Sequence, residues 1–410
     1  MAPACVLLGR AVYFRKHPVA GVVGGTTRRQ SSSEPIPSVD AIEADIATYM
    51  RAMTPDLQVV DPPGVSCLTI VRPHPSHPFP KHGYTWNQQS GNAVAADKNL
   101  VLIYVGSYRP ISTYGGCYLL VDTASSSLSR IPGVHHNSFP YSCVGAAGAV
   151  IMAREGGAFV LAELLFKLPS PAEPGVPAFG KLCLWQSSEW VYRVGRLPSE
   201  LRHTWRLHTS FSVQSRNLLC WVDLLHGLLL CDLGRNGEVD SPDDLPDLGM
   251  SFVPLPHSCS IGEHHHRRLI PQDFCTMACV DGTIKFLTME GFVEHNPIAL
   301  VTFALDLDGP SPTWMKDTVL RLDDLWADKT LISKGVPRIT PLFPMLSTQE
   351  HDVVYLVIGG RVDDVEGYKV ERAQLLLSVD LRKAMVISAT QDNSLRTLLC
   401  WRDILVINAS

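Results

Sequence analysis

The stretch Leu218-Leu-Cys-Trp-Val-Asp223-Leu-Leu-His-Gly227-Leu-Leu-Leu-Cys-Asp232 contains two short apolar runs separated by a break at Gly227. Runs of this length, bounded by Gly and Asp, favour strands over helices. The stretch therefore predicts a buried β-hairpin, and it indicates a fold that is built from paired strands.

Similar strand pairs are predicted along the rest of the chain, at intervals of about 40 to 50 residues, which is the spacing of propeller blades. The clearest turn signal is Asp281-Gly282, a dipeptide typical of two-residue hairpins. The pattern predicts a mainly β protein, an irregular propeller-like scaffold of repeated strand pairs with one short N-terminal helix; a β-sandwich with insertions is the alternative. The other predicted pairs are 100–105 with 117–122, 144–152 with 159–166, 182–185 with 190–194, 275–280 with 283–289, 298–305 with 314–320, 353–358 with 375–380, and 385–389 with 398–406.

Two Pro-rich segments interrupt this pattern, Pro169 to Pro177 and Pro242 to Pro256. Because proline removes a backbone donor and disfavours regular structure, both are predicted to be loops that leave the scaffold.

The N-terminal segment 1–33 has five basic residues and no acidic residue, and it ends in Ser31-Ser32-Ser33. This composition is typical of an organellar transit peptide, with a disordered tail as the alternative. If the segment is a transit peptide, it is expected to be removed near Arg29, and the protein is expected in mitochondria or plastids. If the segment is a disordered tail, a cytoplasmic or nuclear protein is expected.

Residues 34–56 follow as an amphipathic helix with a linker. Ile42, Ile46 and Met50 share one helical face between Ser38 and Met53, and the helix is expected to pack on the following domain. Residues 57–410 are predicted to be the β-rich domain.

Composition excludes several classes of partner. The formal net charge is −5 in 410 residues, and basic residues are dispersed after residue 34, so a nucleic-acid surface is not predicted. No apolar run reaches the length that spans a bilayer. The 11 Cys show no repeated spacing and are interpreted as buried thiols of a reducing compartment.

Several clusters of His, Cys and Asp residues could in principle bind a metal or take part in catalysis, and each is interpreted as structural. His264-His265-His266, near His257 and Cys259, is interpreted as a polar loop, and Cys275 with Cys279 as core. No nucleophile elbow, phosphate loop or zinc-protease motif occurs. No catalytic residue, metal site or cofactor is therefore predicted. The remaining candidates are His74, His77 and His82 in a Pro-rich connector, the adjacent carboxylates Asp243-Asp244, Asp323-Asp324 and Asp363-Asp364, and the turn Asp306-Leu-Asp308-Gly309.

One ordered set of motifs, within about residues 218–346, resembles the plant family called domain of unknown function 1618, which is expanded in grasses. The motifs are Trp221-Val-Asp223, Gly227, Cys231-Asp232, Val253-Pro-Leu-Pro256, Thr283-Ile-Lys-Phe286, Thr313-Trp314 and Leu325-Trp326. The resemblance implies a plant protein whose biochemical activity is undetermined.

The signature residues Trp221, Asp223, Gly227, Cys231, Asp232, Trp314 and Trp326 are expected to be structural. Trp221 would anchor a hydrophobic layer, Gly227 would supply a turn, and the two Asp would accept hydrogen bonds from loop amides. Because the sequence contains no recognisable set of catalytic residues, the first hypothesis is a non-enzymatic scaffold that binds an unidentified protein partner. The alternative is a ligand-binding protein or unrecognised enzyme with a pocket near Trp221, Asp223 and Asp232.

Overall fold

A computed structural model describes residues 5–16, 48–74, 90–106, 116–134, 148–168, 178–201, 203–234, 248–259, 270–292, 297–365, 368–390 and 404–408. Within these residues the chain is mainly β, as predicted, with 25 strands and two short helices. Among them no helix combines the length and the apolar character that crossing a membrane requires.

Most strands belong to four-stranded antiparallel meanders, in which each strand pairs with the next along the chain. We number the meanders in chain order. The first and second meanders consist of β5 (Ser90–Asp97), β6 (Leu100–Val105), β7 (Cys117–Asp122) and β8 (Ser127–Pro132), and of β9 (Ala149–Ala153), β10 (Phe159–Lys167), β11 (Phe179–Gln186) and β12 (Glu189–Arg196). The third and fourth consist of β13 (Thr209–Val213), β14 (Leu218–Asp223), β15 (Gly227–Asp232) and β16 (Met250–Pro254), and of β17 (Cys275–Val280), β18 (Thr283–Glu290), β19 (Ala299–Asp306) and β20 (Thr313–Arg321). The fifth consists of β21 (Leu342–Leu346), β22 (Val353–Val365), β23 (Tyr368–Asp380) and β24 (Met385–Thr390).

The first meander continues into a nine-stranded sheet that joins the two ends of the chain. Its strand order is β25-β1-β4-β2-β5-β6-β7-β8, with β3 paired to β4. The β1–β4 and β2–β4 pairs are parallel, and β1 is antiparallel to β25. The added strands are β1 (Cys5–Gly9), β2 (Ala11–Arg15), β3 (Thr54–Gln58), β4 (Val65–Val71) and β25 (Ile404–Asn408).

The N-terminal segment contributes two strands to the nine-stranded sheet. These strands lie in the segment predicted to be a transit peptide or a disordered tail, and β1 is fully buried and pairs with both β25 and β4. Both strands are short, and Arg10, Arg15 and Lys16 lie in or beside them, so the basic composition hid their strand character. Removal near Arg29 would delete both strands.

The predicted amphipathic helix lies partly outside the described residues. Residues 48–51 are helical, and Tyr49, Met50 and Met53 pack against Leu8 and Ile70. Two other short helices, α1 (Leu322–Trp326) and α2 (Lys329–Ser333), follow β20 and lie between the fourth and fifth meanders in sequence.

Two further predictions about strands are wrong. The sequence predicts that segment 385–389 pairs with segment 398–406. In the structure β24, which contains the first segment, pairs with β23, and β25, which overlaps the second, pairs with β1. The Pro-rich segment 242–256 contains β16, which ends at Pro254. Because β16 is the last strand of its meander, its outer edge has no partner strand, and the missing proline N–H costs no ladder bond there.

The first strands of successive meanders are neighbours. β5 contacts β9, β9 contacts β13, β13 contacts β17 and β17 contacts β21, while β25 contacts β5. Between β9 and β13 the contact is a ladder of side chains, because alternate residues of β13 donate to alternate carbonyls of β9. The bonds are Ser210 Oγ to Ala149 O (2.9 Å), Ser212 Oγ to Ile151 O (3.1 Å) and Gln214 Nε2, just beyond the strand, to Ala153 O.

Candidate binding cavity

A cavity of about 1280 Å³ lies where the first strands of several meanders converge. Its walls come from four meanders and from the C-terminal strand β25. The main lining segments are Asn92 to Asp97 on β5, Thr209 to Ser212 on β13, Cys275 to Cys279 on β17, Phe343 to Leu346 on β21, and Ile404 to Val406 on β25.

The first strands run in the same direction past the cavity. Their C-terminal ends meet, since Asp97 accepts from Ala153 N at 2.8 Å and Asp281 N donates to Thr348 O at 3.1 Å. The lining therefore extends from the strand starts, near His208, to the strand ends, near Asp281, and we call these two ends of the cavity its mouths. A first strand of about five residues is about 17 Å long, and this length separates the two mouths.

Asp223 organises the mouth at the strand starts, although it does not itself line the cavity. It is 0% exposed, and its carboxylate accepts from Leu225 N at 2.8 Å, from Arg206 N and from His226 Nδ1 at 2.8 Å. Burial acts to raise the pKa of Asp223, but hydrogen bonds and charge from His208 and His226 outweigh it and hold the pKa well below its usual range. Asp223 is therefore a buried anion that fixes the loop leading into β13.

His208 connects this buried anion to the cavity. Its Nδ1 lies 3.4 Å from Asp223 Oδ1 and accepts a hydrogen bond from Leu224 N at 3.2 Å. Nδ1 is therefore engaged at this loop, where it accepts from Leu224 N or, when it carries a proton, donates to Asp223. Nε2 is a donor when Nδ1 accepts and an acceptor when the only ring proton is on Nδ1, and His208 is one of the residues that line the cavity.

The other polar groups of the lining are mostly neutral hydroxyls and amides. At the strand ends, Thr348 Oγ1 is buried and makes no hydrogen bond to any described residue. Asp97 is partly buried, which raises the pKa of its carboxyl despite the bond from Ala153 N. The neutral polar side chains are Asn92, Thr209, Ser210, Ser212, Gln214, Ser215, Gln272, Thr276, Thr283, Thr348 and Gln349.

The thiols of the lining are not activated. Cys275 contacts Pro271 O at 3.1 Å, and burial raises the pKa of this thiol well above its ordinary value. Burial also raises the pKa of Cys279 to about 11. Neither thiol is a nucleophile near neutral pH, because the thiolate is the reactive form.

The described part of the chain contains no group of three or more His, Cys, Asp and Glu residues that could hold a metal ion. His264, His265 and His266 lie outside the described residues, as do His77, His82 and the Asp243-Asp244 pair. Asp323 and Asp324 are exposed in the first turn of α1. The nine described cysteines are free thiols, six of them buried.

The signature residues lie outside the cavity lining and contact other parts of the scaffold. Trp221 is fully buried, and its Nε1 donates to Gly148 O at 2.8 Å, which joins the third meander to the start of the second. Gly227 has a φ of 153°, and a Cβ at this position would lie 2.3 Å from Val253 O. Trp326 and Cys231 belong to two different hydrophobic clusters.

Asp232 belongs to a structural repeat that sequence reasoning missed. The third strands of the first, third, fourth and fifth meanders all end in Asp, and each carboxylate accepts a backbone N–H two or three residues later. The bonds are Asp122 to Ala124 N (3.0 Å), Asp232 to Gly234 N (2.8 Å), Asp306 to Asp308 N (2.9 Å) and Asp380 to Lys383 N (2.9 Å). An apolar run that ends in Asp before a turn is the sequence pattern that could have predicted this repeat.

The geometry defines a mainly β protein with a cavity that is lined by the first strands of four meanders and by β25. Residues 221–355 match the family described as protein of unknown function (DUF1618). The family resemblance predicted from the signature residues is thus confirmed, and the matched segment runs from β14 into β22. The chain matches no curated protein.

Proposed function

We propose that this protein is a non-enzymatic binding protein whose meanders form a propeller-like ring around a ligand in the central cavity. The observation that carries the proposal is the convergence of first strands from four meanders and β25 on one cavity. The serial contacts from β5 to β21, with β25 next to β5, support a ring.

The packing between the fifth meander and the chain ends supports closure of this ring. Tyr355 and Leu376 of the fifth meander share a buried cluster with Leu7 of β1 and Ile404 of β25. The Tyr355 hydroxyl also lies 3.0 Å from Cys5 Sγ. A ring of sheets held at its seam by both chain ends would keep the cavity walls rigid, as a preformed binding site requires.

The test is ligand-dependent thermal stabilisation of the full chain against a chemically broad set of metabolites. A ligand that binds only the native state raises the melting temperature with concentration. The variant Thr276→Trp, which fills the cavity from β17, should abolish the shift. The matched variant Thr313→Trp, on an exposed strand outside the cavity, should leave it unchanged. Stabilisation that persists in Thr276→Trp would contradict a ligand in the cavity.

A second candidate function, a scaffold for a protein partner, is favoured by apolar side chains on outer strands. Met315 and Val319 on β20 are 60% and 51% exposed, and Met385 and Ile387 on β24 are also exposed. Large apolar groups on solvent-facing strands are a feature of interaction surfaces. If this role is correct, the double variant Met315→Glu with Val319→Glu should lose a partner that the unaltered protein captures, while the Thr313→Glu variant retains it.

The plant origin and the organellar address also remain proposals. The first rests on the family resemblance, and the second on the basic, acid-poor segment before Glu34, which would have to be retained after import because its removal would delete β1 and β2. A fluorescent reporter fused to residues 1–33 tests the address, and a diffuse cytosolic signal would contradict it.

A further inference from the structure

We infer that the cavity binds a neutral, hydroxyl-rich small molecule, such as a sugar or a glycoside, with the His208 ring as an anchoring hydrogen-bond partner. This inference rests on the proposed function, because it names the ligand class of the same cavity.

The first step concerns charge. The charged side chains of the lining are Arg10, Asp97, Lys98, Arg216 and Asp281, and the partners of four are known. Arg10 donates to Ala93 O and Val94 O, Asp97 accepts from Ala153 N, Arg216 pairs with Asp308 at 2.7 Å, and Asp281 lies 3.2 Å from His351. Lys98 is exposed at the mouth formed by the strand ends.

Each of these four side chains is thus already engaged by a protein group, Arg216 and Asp281 by another ionisable side chain and Arg10 and Asp97 by the backbone. Taking an unpaired charge out of water is costly, whereas a neutral hydroxyl exchanges its water hydrogen bonds for protein ones at a small net cost. The charge distribution therefore favours a neutral ligand.

The second step concerns hydrogen bonding. His208 can donate or accept through Nε2 according to its tautomer, and Thr348 Oγ1 at the other mouth is buried without a described partner. Ser212 donates its hydroxyl proton to Ile151 O on β9, so its oxygen can act as an acceptor. A hydroxyl group both donates and accepts, and it can satisfy this mixture along the whole cavity.

The third step concerns the apolar part of the wall. Phe211 and Phe343 line the cavity together with Met277 and Met345. Sugar rings have polar edges and C–H faces, and they match a wall in which apolar side chains alternate with hydroxyls and amides. An entirely apolar ligand would leave the hydroxyls and amides without hydrogen bonds, which is unfavourable.

The experiment is isothermal titration of the full chain with three neutral probes, sucrose, cellobiose and maltotriose, and two charged ones, glucose 6-phosphate and glucosamine. We expect saturable binding of at least one neutral probe, with the charged analogues at least tenfold weaker. His208→Ala should weaken that binding about tenfold, which corresponds to the loss of one hydrogen bond. His208→Gln, which keeps an N–H donor, should restore most of it, and the exposed His203→Ala is the matched control.

Tighter binding of a charged probe than of any neutral one would overturn the ligand class. Neutral-sugar binding that His208→Ala leaves unchanged would overturn the assigned anchor. Absence of sugar binding together with stabilisation by another metabolite, lost in Thr276→Trp, would overturn this inference and leave the proposed function standing. Absence of any ligand effect in the broad metabolite set would remove both.

Discussion

The indole Nε1 of Trp314 donates a hydrogen bond to the backbone oxygen of Pro254, 2.7 Å away. Trp190 makes the same contact with Pro132 at 2.8 Å. In both pairs the Trp is the second residue of the fourth strand in one meander, and the Pro is the last residue of the fourth strand in the preceding one. The contact thus repeats between successive meanders.

Trp314→Phe should lower the free energy of unfolding by about 1 kcal/mol, because it removes one hydrogen bond and keeps most of the ring. Trp190→Phe should produce a loss of similar size, since its contact has the same geometry. Urea unfolding measures both. A fully stable Trp314→Phe protein would show that this contact does not stabilise the packing of the two sheets.

Gly227→Ala should destabilise the protein strongly, by about 3 kcal/mol or more, because the added Cβ would lie 2.3 Å from the backbone oxygen of Val253. Backbone must shift to relieve this overlap. Gly309→Ala is the matched control, since its nearest neighbour would be Ser311 O at an ordinary 3.5 Å. Thermal unfolding of the two variants should separate them clearly, and equal stability would contradict the close approach.

Asp223→Asn should cost about 1 to 3 kcal/mol, because one acceptor oxygen of a buried carboxylate is replaced by a donor facing other donors. The measurement is urea unfolding near pH 7. Asp232→Asn should cost less, because the Asp232 carboxylate caps Gly234 N in a turn nearer the surface. A larger loss for Asp232→Asn would argue against Asp223 as the organising anion of the cavity mouth.

Glu163 should make stability depend on pH near neutrality. Its carboxylate is buried between the first two meanders, where it accepts from Tyr118 OH at 2.9 Å, and burial raises its pKa from 4.5 to about 7. The folded protein then holds a proton that the unfolded chain releases. The free energy of unfolding should therefore fall as pH rises from about 4.5 to about 7, by up to about 3 kcal/mol.

Glu163→Gln removes this titration, and urea unfolding at pH 5 and pH 8 should show a weaker decline than in the unaltered protein. The titratable groups that interact with Glu163 include Tyr104, Tyr118 and Tyr192, and the pKa of each is raised above the ordinary tyrosine value, mainly by burial, so they stay neutral in this pH range. The exposed Glu155→Gln serves as the control. An unchanged pH profile in Glu163→Gln would assign the dependence to other groups.

Deletion of residues 1–16 should abolish cooperative folding, because it removes β1 and β2, takes away the strand that pairs with β25, and leaves β4 paired with β3 alone. The loss includes the buried cluster that Leu7 shares with Tyr355. Circular dichroism and thermal unfolding report the outcome. Deletion of residues 1–4 alone should retain the fold, and a stable, cooperative protein lacking residues 1–16 would contradict the role of these strands.

The sequence predicts the two middle strands of every meander, but of the outer strands it misses β5, β8, β13, β16 and β21. Cys117–Asp122 and Gly227–Asp232 are nearly all buried, so their apolar runs are unambiguous. In contrast, most residues of Ser127–Pro132 and Thr209–Val213 are not fully buried, and polar residues interrupt their apolar pattern. Of the four first strands that line the cavity, only β17 was therefore predicted, from its hairpin with β18.

The candidate site was out of reach for a related reason. His208 and Thr348 lie 140 residues apart in the chain and contribute to the cavity only because β13 and β21 approach the same space. No local motif encodes this approach. Asp223 was singled out from the sequence, but its connection to the cavity through His208 depends on the loop before β13, which carries no recognisable pattern.

The pairing of β1 with β25, in which Cys5 lies opposite Asn408, also sets an order of events during synthesis. The ribosome releases β1 long before β25, its antiparallel partner, which emerges only after strands β2 to β24. Contacts this distant in sequence form slowly, and an unpaired apolar strand is prone to aggregate while it waits. The pairing of β1 with β25 is therefore expected to be the late step of folding, and the nascent protein is expected to depend most on chaperones at this step.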